Sequence, residues 1–161
     1  MFPSHDQIGC YKGRSTAHLL TLLKDKKSEV HIIDTFLGSE EHSEVSNYRE
    51  EFTSNMSSLG FKENKDYFIH EGLSEDLHER FEDSYFDLIM IDASHDYLNV
   101  KKDINNYISK VKENGILAGD DYDFPGVIKA VSELLPNAII TKRKGRCVQD
   151  IYAGNNWHIK C

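Results

Sequence analysis

Short segments with strand patterning alternate with amphipathic helical segments along the chain. Strands separated by helices in this way form βαβ units, which build a parallel sheet with right-handed crossovers. The sequence therefore predicts an α/β fold with a mostly parallel sheet, closed by a terminal antiparallel pair at residues 138–141 and 151–160. Strand patterns occur at residues 29–34, 67–71, 86–92 and 115–119, and helical patterns at 15–24, 44–59, 74–81, 98–111 and 127–135.

The size and charge of the chain limit the class of protein it can belong to. Its 161 residues fit a single domain spanning 1–161, which can bury a core without a disulfide or a structural zinc. Nineteen Lys and Arg against 27 Asp and Glu give a net charge of −8, which disfavours nucleic acid and anionic membranes as partners. No apolar run approaches the roughly 20 residues of a membrane helix, and the N-terminus lacks a signal-peptide pattern. The three cysteines are odd in number and lack metal-type spacing, so we expect a reducing, cytoplasmic location.

Polar residues and glycines stand at the ends of the predicted strands. In a parallel α/β sheet, ligands bind in the crevice outside the carboxyl ends of the strands. Gly9, Asp34, Gly72, Asp92 and Asp120 all fall at such ends. We therefore expect these positions to form one ligand site.

A glycine-containing segment, GCYKGRS at residues 9–15, enters the first predicted helix. Its glycines would let the backbone approach a ligand closely, and the helix N-terminus presents free N–H groups. The dinucleotide fingerprint is excluded because it requires a glycine at Tyr11, and a plain turn between strand and helix remains the alternative. Asp34 lies about 20 residues further on, where an acidic residue can accept both hydroxyls of a ribose. The alternative for Asp34 is a surface aspartate at the end of a strand.

Three carboxylates are predicted to converge at the ends of two neighbouring strands. Asp92 ends the most apolar strand, and Asp120 and Asp121 end the next one. Adjacent strands lie about 4.8 Å apart, so these carboxylates would repel each other unless a hard cation such as Mg²⁺, Ca²⁺ or Mn²⁺ lies among them. The alternative is that Asp120 or Asp121 caps a following turn. His95, on the loop after Asp92, is a candidate general base above the same crevice.

Three further features have less specific interpretations. Cys10 is expected to be a packing residue, because no histidine and asparagine pattern supports a nucleophile. The basic segment 142–146 is expected to be a solvated turn rather than an anion or RNA patch. Asp121 and Asp123 match the short D-x-D metal motif of sugar-nucleotide transferases, which keeps that activity open as an alternative.

The order of these motifs resembles that of class I S-adenosylmethionine-dependent methyltransferases. The chain runs through G-x-Y-x-G-x-S, a strand ending in Asp34, G-x-S at 72–74, F-D-x-x-x-I-D at 86–92 and G-D-D-Y at 119–122. The resemblance extends from about residue 8 to residue 157. The nearest groups are small-molecule O-methyltransferases of the catechol type and of the macrocin or sugar type.

The resemblance implies a Rossmann-like three-layer sandwich with a seven-stranded sheet, and S-adenosylmethionine as the cofactor. It places Asp34 at the ribose hydroxyls and Ser74 beside the adenine. It gives Asp92 a role at both the methionine end of the cofactor and the metal, with Asp120 and Asp121 as the other metal ligands. His95 stands where the catechol enzymes have a general-base lysine. The loop against the methionine part is formed by Gly9, Tyr11, Gly13 and Ser15.

The chain departs from this family at its N-terminus. Family members usually have helices and an apolar first strand before the glycine loop, whereas only seven residues precede Ile8, and Gln7 stands where an acidic residue is usual. The fold is therefore expected to be truncated at its N-terminus. The site is expected to be open or completed by a partner subunit, and a homodimer is the simplest such assembly. The segment 36–48 is expected to serve as a mobile lid.

Together these features predict methyl transfer from S-adenosylmethionine to a hydroxyl of a small molecule or carbohydrate, assisted by a divalent cation, with Mg²⁺ favoured. His95 and Asp92 are the predicted catalytic residues, and Asp92, Asp120 and Asp121 are the predicted metal ligands. A cofactor-binding domain without turnover is a second alternative. NAD is not expected to bind, because Tyr11 occupies the position of a glycine that the pyrophosphate requires.

Overall fold

The computed structural model of the protein describes residues 3–24, 26–38, 47–142 and 155–161. Within these residues the chain forms the predicted alternation of strands and helices. The strands are β1 (Ser4–Ile8), β2 (Glu29–Asp34), β3 (Phe68–Glu71), β4 (Phe86–Ile91), β5 (Val111–Gly119), β6 (Ile139–Thr141) and β7 (Asn156–Lys160). The helices are α1 (Arg14–Leu23), α2 (Tyr48–Ser58), α3 (Ser74–Leu77), α4 (Tyr97–Tyr107) and α5 (Pro125–Leu134), and short 3₁₀ turns follow α3 and α4.

The strands form one seven-stranded sheet in the order β3-β2-β1-β4-β5-β7-β6. The strands from β1 to β5 run parallel, and β7 is antiparallel to both β5 and β6. The predicted mostly parallel sheet with an antiparallel last pair is therefore confirmed. The sheet extends from β1 to β3 in one direction and from β4 onwards in the other, so its topological switch point lies between β1 and β4.

Helices cover both faces of the sheet and give the three predicted layers. On one face, Leu20 of α1 and Phe52 and Met56 of α2 form a core with Val30 and Ile32 of β2. On the other face, α3, α4 and α5 pack on the sheet. That second core includes Leu77, Val100, Ile104, Val127 and Val131 of the helices and Ile33, Ile89 and Leu117 of the strands. Among the described helices, none is both long and apolar enough to cross a membrane.

The register of the sheet places the carboxyl ends of the parallel strands level with one another. Ile8 pairs with Ile33 of β2 and with Ile91 of β4, and Ile91 in turn pairs with Gly119 of β5. Backbone pairing alone therefore brings the predicted strand-end positions to one edge of the sheet. The residues that follow the paired positions are Gly9, Asp34, Asp92 and Asp120.

A first strand is formed although the sequence before the glycine loop is not apolar. β1 lies between β2 and β4, and its five residues, SHDQI, are all buried. Both carboxylate oxygens of Asp6 lack a hydrogen-bond partner among the described residues. Burial raises the pKa of the Asp6 carboxyl well above its usual range. Backbone pairing on both sides holds this strand in the centre of the sheet in spite of its polar side chains.

Some boundaries differ from the predicted ones by a few residues. α4 ends at Tyr107, and a 3₁₀ turn leads into β5 at Val111, which pairs with Phe86 of β4. β5 therefore begins before the predicted strand at 115–119, because residues assigned to the end of a helix extend the sheet. Parts of the predicted helix 44–59 and strand 151–160, and most of the predicted lid, lie outside the described residues.

Candidate functional site

The loop after β1 lies directly against the end of β4. Gly9 has a left-handed φ of 83°, and a Cβ atom added there would lie 2.1 Å from the carbonyl oxygen of Asp92. The main chain of Asp92 is fixed in turn, since its N–H donates a 2.8 Å hydrogen bond to the carbonyl of Ile8. A side chain at position 9 would separate the two strand ends. Glycine is therefore required for the narrow crevice at the switch point.

Helix α2 holds the other end of the glycine loop. Gly13 has a φ of 88°, and an added Cβ would lie 2.6 Å from the Cε atom of Met56. The Nδ2 atom of Asn55 donates a 2.9 Å hydrogen bond to the carbonyl of Lys12. The Lys12 ammonium lies 2.9 Å from the carboxylate of Glu51. No feature of the sequence indicated that α2 positions this loop.

Asp34 binds the same loop through main-chain N–H groups. Its Oδ2 atom accepts hydrogen bonds from Cys10 at 2.7 Å and from Tyr11 at 3.0 Å, and its Oδ1 atom accepts one from Phe36 at 2.7 Å. A carboxylate offers about four acceptor positions, so these three bonds leave about one for a ribose hydroxyl. The predicted bond to both hydroxyls would need one of these main-chain bonds to move.

Ser15 lies between Gln7 and Asp92. The Nε2 atom of Gln7 donates to the Ser15 hydroxyl at 2.6 Å, and that hydroxyl lies 3.5 Å from the Oδ2 atom of Asp92, a long hydrogen bond. The Oε1 atom of Gln7 accepts a 2.9 Å hydrogen bond from the hydroxyl of Thr16. Gln7 is therefore fully engaged although buried, and it connects α1 to the crevice. The acidic residue that is usual at this position could not donate to Ser15 when ionised.

Asp92, Asp120 and Asp121 line one small pocket together with His95 and Trp157. The pocket has a volume of about 10 Å³, which is close to the space that one water molecule needs. Burial, and then the nearby charges of Asp120 and Asp121, raise the pKa of the Asp92 carboxyl to about 7. The structure thus brings the three predicted carboxylates together, close enough to repel one another.

His95 is joined to this group through Asp121. Its Nε2 atom lies 2.8 Å from the Oδ2 atom of Asp121. Its ring stacks on the ring of Phe124, with centroids 4.0 Å apart and planes inclined by 19°. The bond to the carboxylate restrains the position of the ring nitrogen, and the carboxylate stabilises the imidazolium that forms when the ring accepts a proton.

The donor chemistry of the three carboxylates suits a hard cation, but their present arrangement is not a formed metal site. Within residues 3–24, 26–38, 47–142 and 155–161, no group of three or more His, Cys, Asp and Glu side chains is arranged to hold a metal ion. Asp121 is bonded to His95, and the Oδ1 atom of Asp120 accepts the main-chain N–H of Asp121 at 2.8 Å. The predicted cation therefore stays a prediction.

Ser74, the residue expected beside the adenine, bonds to α4. Its hydroxyl donates to the Oδ1 atom of Asp103 at 2.5 Å, and its carbonyl accepts the hydroxyl of Tyr107 at 2.9 Å. Burial raises the pKa of the Asp103 carboxyl to about 6. The loop after β3 is thus fixed to α4 under the crevice, and Leu73 of the same loop is more than half exposed.

The less specific features of the sequence have separate places in the structure. Cys10 is buried in the core with α1 and α2, as a packing residue would be, and burial raises the pKa of its thiol. The two aspartates of the D-x-D match have different partners, since the Oδ2 atom of Asp123 accepts the main-chain N–H of Asn155 at 2.9 Å and Asp121 bonds His95. Most of the basic segment 142–146 lies outside the described residues.

A family model described as “Methyltransferase domain” matches residues 7–122 of the chain, and this range contains every predicted site residue. A search of curated proteins found no match. Solved structures share the fold. One is the O-methyltransferase NovP, with a TM-score of 0.74 and 15% identity, covering 99% of this chain and 72% of NovP.

Two further solved structures with this fold act on different acceptors. An rRNA methylase from Streptococcus thermophilus has a TM-score of 0.68 and 14% identity, covering 99% of this chain and 86% of the methylase. CalS11, a TDP-rhamnose 3′-O-methyltransferase of calicheamicin biosynthesis, has a TM-score of 0.63 and 16% identity, covering 98% of this chain and 71% of CalS11. At such identities the likeness shows the fold and leaves the acceptor open.

Proposed function

Since the chain belongs to the methyltransferase family whose model matches residues 7–122, we propose that it transfers a methyl group from S-adenosylmethionine to a hydroxyl of a small molecule or carbohydrate. The observation that carries this proposal is the bond between His95 and Asp121 in the pocket that Asp92 also lines. An acceptor hydroxyl loses its proton when it takes up a methyl group. An imidazole held by a carboxylate is suited to accept that proton.

The geometry of the glycine loop and of the strand ends suits S-adenosylmethionine as the cofactor. The backbone at Gly9 is free of side-chain bulk at the narrowest part of the crevice. Asp34 retains about one acceptor position for a ribose hydroxyl, and the exposed Leu73 offers an apolar surface for the adenine next to Ser74. The residues proposed to hold the cofactor are Gly9, Tyr11, Gly13, Ser15, Asp34, Ser74 and Asp92.

The proposed mechanism needs positioning and one proton acceptor. The bound cofactor supplies a methyl group that its sulfonium already activates, so the protein's main task is to align the acceptor oxygen with that methyl. Transfer of the methyl carbon from the sulfur to the acceptor oxygen would release S-adenosylhomocysteine, and the proton of the acceptor hydroxyl would pass to the imidazole of His95. Asp121 stabilises the resulting imidazolium. Asp92, at the end of β4, contacts Ser15 of the glycine loop and lines the pocket of His95.

The negative charge of the chain and of the site favours a small molecule over a nucleic acid as the methyl acceptor. The chain has a net charge of −8, and the carboxylates of Asp92, Asp120 and Asp121 surround the pocket of His95. These charges would repel a phosphate backbone. Among the structures with this fold, the sugar methyltransferase CalS11 is therefore a better guide to the acceptor than the rRNA methylase.

We also propose that the chain is one methyltransferase domain over 1–161, located in the cytoplasm, and that it forms a homodimer. Leu37 and Leu98 follow β2 and β4 and are 85% and 62% exposed. Apolar side chains in this position suit a surface that a second copy or the acceptor covers. Light scattering should give the mass of a dimer, and a strict monomer at high concentration would contradict the assembly.

Calorimetric titration and a methyl-transfer assay test the function. S-adenosylmethionine and S-adenosylhomocysteine should bind, and NAD should not. Release of S-adenosylhomocysteine should then be measured with a panel of phenols and sugars, in the wild type and in His95→Gln. We expect turnover with at least one hydroxyl acceptor and roughly 10²–10⁴-fold slower turnover in the variant, the usual share of a general base.

Three results would contradict the proposal in different ways. Binding of the cofactor without transfer to any acceptor would favour a binding domain without turnover. Saturation by a nucleotide sugar, with no response to S-adenosylmethionine, would favour the sugar-nucleotide transferase. Turnover that is unchanged in His95→Gln would leave the methyltransferase in place and remove the base from His95.

A further inference from the structure

Three contacts to His95 come from the segment that joins β5 to α5 and from the first turn of α5. Asp121 bonds the imidazole at 2.8 Å. Phe124 stacks on the same ring. Gly126 packs so closely against the main-chain carbonyl of His95 that a Cβ atom at position 126 would collide with it. The loop that carries His95 is thus held by a segment about 30 residues away in the sequence.

The stacking of Phe124 fixes a degree of freedom that the hydrogen bond leaves open. A single bond from Nε2 to Asp121 allows the imidazole to rotate about the line between the two atoms. A ring 4.0 Å away and inclined by 19° restricts that rotation. Phe124 is itself placed by its main-chain N–H, which donates a 3.0 Å hydrogen bond to the carbonyl of Asp121. One turn therefore supplies both the acceptor and the stacking surface.

Gly126 sets how closely α5 approaches the loop of His95. An added Cβ atom would lie 2.2 Å from the carbonyl oxygen of His95 and 2.7 Å from the main-chain nitrogen of Tyr97. The φ of Gly126 is not in the left-handed region, so its backbone conformation does not require glycine. Glycine near the start of a helix also has a lower helix propensity than alanine. The lack of room for a Cβ atom beside the main chain of His95 is therefore the physical reason for a glycine at position 126.

We propose that Phe124 and Gly126 are positioning residues, which set the plane and the depth of the His95 imidazole at the acceptor side of the crevice. The proposal rests on the proposed role of His95 as the base. Its consequence is that the β5–α5 segment fixes the orientation of the His95 imidazole. Substitutions far from His95 in the sequence should therefore change that orientation and leave the cofactor loop as it is.

Nuclear magnetic resonance of the histidine rings tests the placement without any acceptor or cofactor. The ring resonances of His95 are assigned by their loss in His95→Gln and then followed in Phe124→Leu, Phe124→Tyr and Gly126→Ala. Phe124→Leu keeps an apolar side chain but removes the ring, whereas Phe124→Tyr retains the stacking surface. Ile128→Ala, at an exposed position of the same helix, is the control for a change on α5.

The ring-current shift disappears with the Phe124 ring itself, so the orientation is read from the Nε2 nitrogen of His95. Its ¹⁵N resonance should move in Phe124→Leu, as the bond to Asp121 loosens, and should stay in place in Phe124→Tyr. In Gly126→Ala the His95 resonances should shift and broaden, while Ile128→Ala leaves them unchanged. Affinity for S-adenosylhomocysteine should stay within about twofold in all variants, because the cofactor loop is not touched. An unmoved His95 Nε2 resonance in Phe124→Leu would overturn the proposal, and this comparison decides it even when Gly126→Ala does not fold. The methyl-transfer assay decides the proposed function separately, so the two failures are distinct.

Discussion

The main-chain N–H of Tyr11 donates a 3.0 Å hydrogen bond to the Oδ2 atom of Asp34, from a left-handed backbone conformation with a φ of 49°. That conformation costs a non-glycine residue roughly 1–3 kcal/mol. The hydrogen bonds that Asp34 accepts from Tyr11 and Cys10 offset this cost. Asp34 therefore shapes the glycine loop in addition to its proposed role at the ribose, and its substitution should act on both.

The first prediction is that Asp34→Asn weakens cofactor binding through the loop. An amide keeps the size of the side chain but has one acceptor oxygen, and its NH₂ group cannot accept the N–H groups that the carboxylate now holds. Hydrogen bonds to a charged group contribute about 1.5–3 kcal/mol, so affinity for S-adenosylhomocysteine should fall roughly 10- to 100-fold. Calorimetry measures the affinity, and hydrogen exchange at residues 10 and 11 should become faster. Asp76→Asn, an exposed acid on α3, is the control, and equal affinity in both variants would contradict the prediction.

The second prediction concerns the buried carboxyl of Asp6 in β1. Its pKa is raised in the folded state, so the folded protein binds a proton that the unfolded chain releases above a pH of about 4. Stability should therefore fall as the pH rises from about 4 towards the raised folded pKa. Asp6→Asn should flatten this dependence, and Asp6→Leu should raise the free energy of unfolding by about 1–3 kcal/mol. Urea titrations at several pH values measure both effects.

Asp83→Asn is the matched control for Asp6, because Asp83 is exposed and its pKa is lowered by hydrogen bonds to Lys110 and Ser109. Asp83→Asn should lose stability as the pH rises, as the wild type does. If Asp6→Asn loses stability at rising pH as the wild type does, the dependence has another source.

The sequence predicts most of the sheet because local patterning and tertiary packing agree there. The strand 29–34 is found with the predicted bounds, since its apolar residues face helices on both sides. β1 is the exception. Its residues are polar, and only pairing with β2 and β4 identifies it as a central strand. The start of β5 at Val111 is likewise set by pairing with Phe86 rather than by the local pattern.

The candidate site, like the sheet, can be predicted from the sequence only in part. Sheet register makes it possible to predict from the sequence that Asp92, Asp120 and Asp121 meet, because parallel strands end at one edge. The partners of these residues depend on loop conformations that have no periodic signal. The bond of Asp121 to His95 needs a left-handed residue at position 121, with a φ of 59°. The approach of Asn55 to the glycine loop depends on how α2 packs.

The third prediction is that the hydrogen bond from α2 to the glycine loop raises the affinity of the protein for the cofactor. Asn55→Ala removes the hydrogen bond to the carbonyl of Lys12, which contributes about 1 kcal/mol. Affinity for S-adenosylhomocysteine should fall by about fivefold. Alanine has the higher helix propensity, so α2 itself should not be destabilised by the loss of asparagine. Ser57→Ala makes a comparable change on an exposed turn of the same helix. A fall in affinity that is equal in both variants would assign the effect to the helix rather than to the hydrogen bond.

The fourth prediction is that any cation at the three carboxylates binds in competition with a proton. Burial and the charges of Asp120 and Asp121 raise the pKa of Asp92 to about 7, so this carboxyl is mostly protonated at pH 6 and mostly ionised at pH 8. Binding of Mg²⁺ would release that proton, and its affinity should be about tenfold higher at pH 8 than at pH 6. Asp92→Asn should remove this dependence in calorimetric titrations with MgCl₂.

The same site predicts how turnover responds to metal removal. Asp120→Ala and Asp121→Ala should abolish metal-dependent methyl transfer while largely sparing affinity for the cofactor, and Asp92→Ala should damage both, because Asp92 also contacts Ser15 beside the glycine loop. EDTA should reproduce the effect of the Asp120 and Asp121 variants, and added Mg²⁺ should reverse it. A cation bound to Asp121 would draw charge from the carboxylate that holds His95, so Mg²⁺ should also shift the His95 ring resonances. Full turnover in EDTA would remove the cation and leave these carboxylates to hold His95 and the turn that follows β5. Normal turnover in an Asp120 and Asp121 double variant would also remove the proposed role of Asp121 at His95.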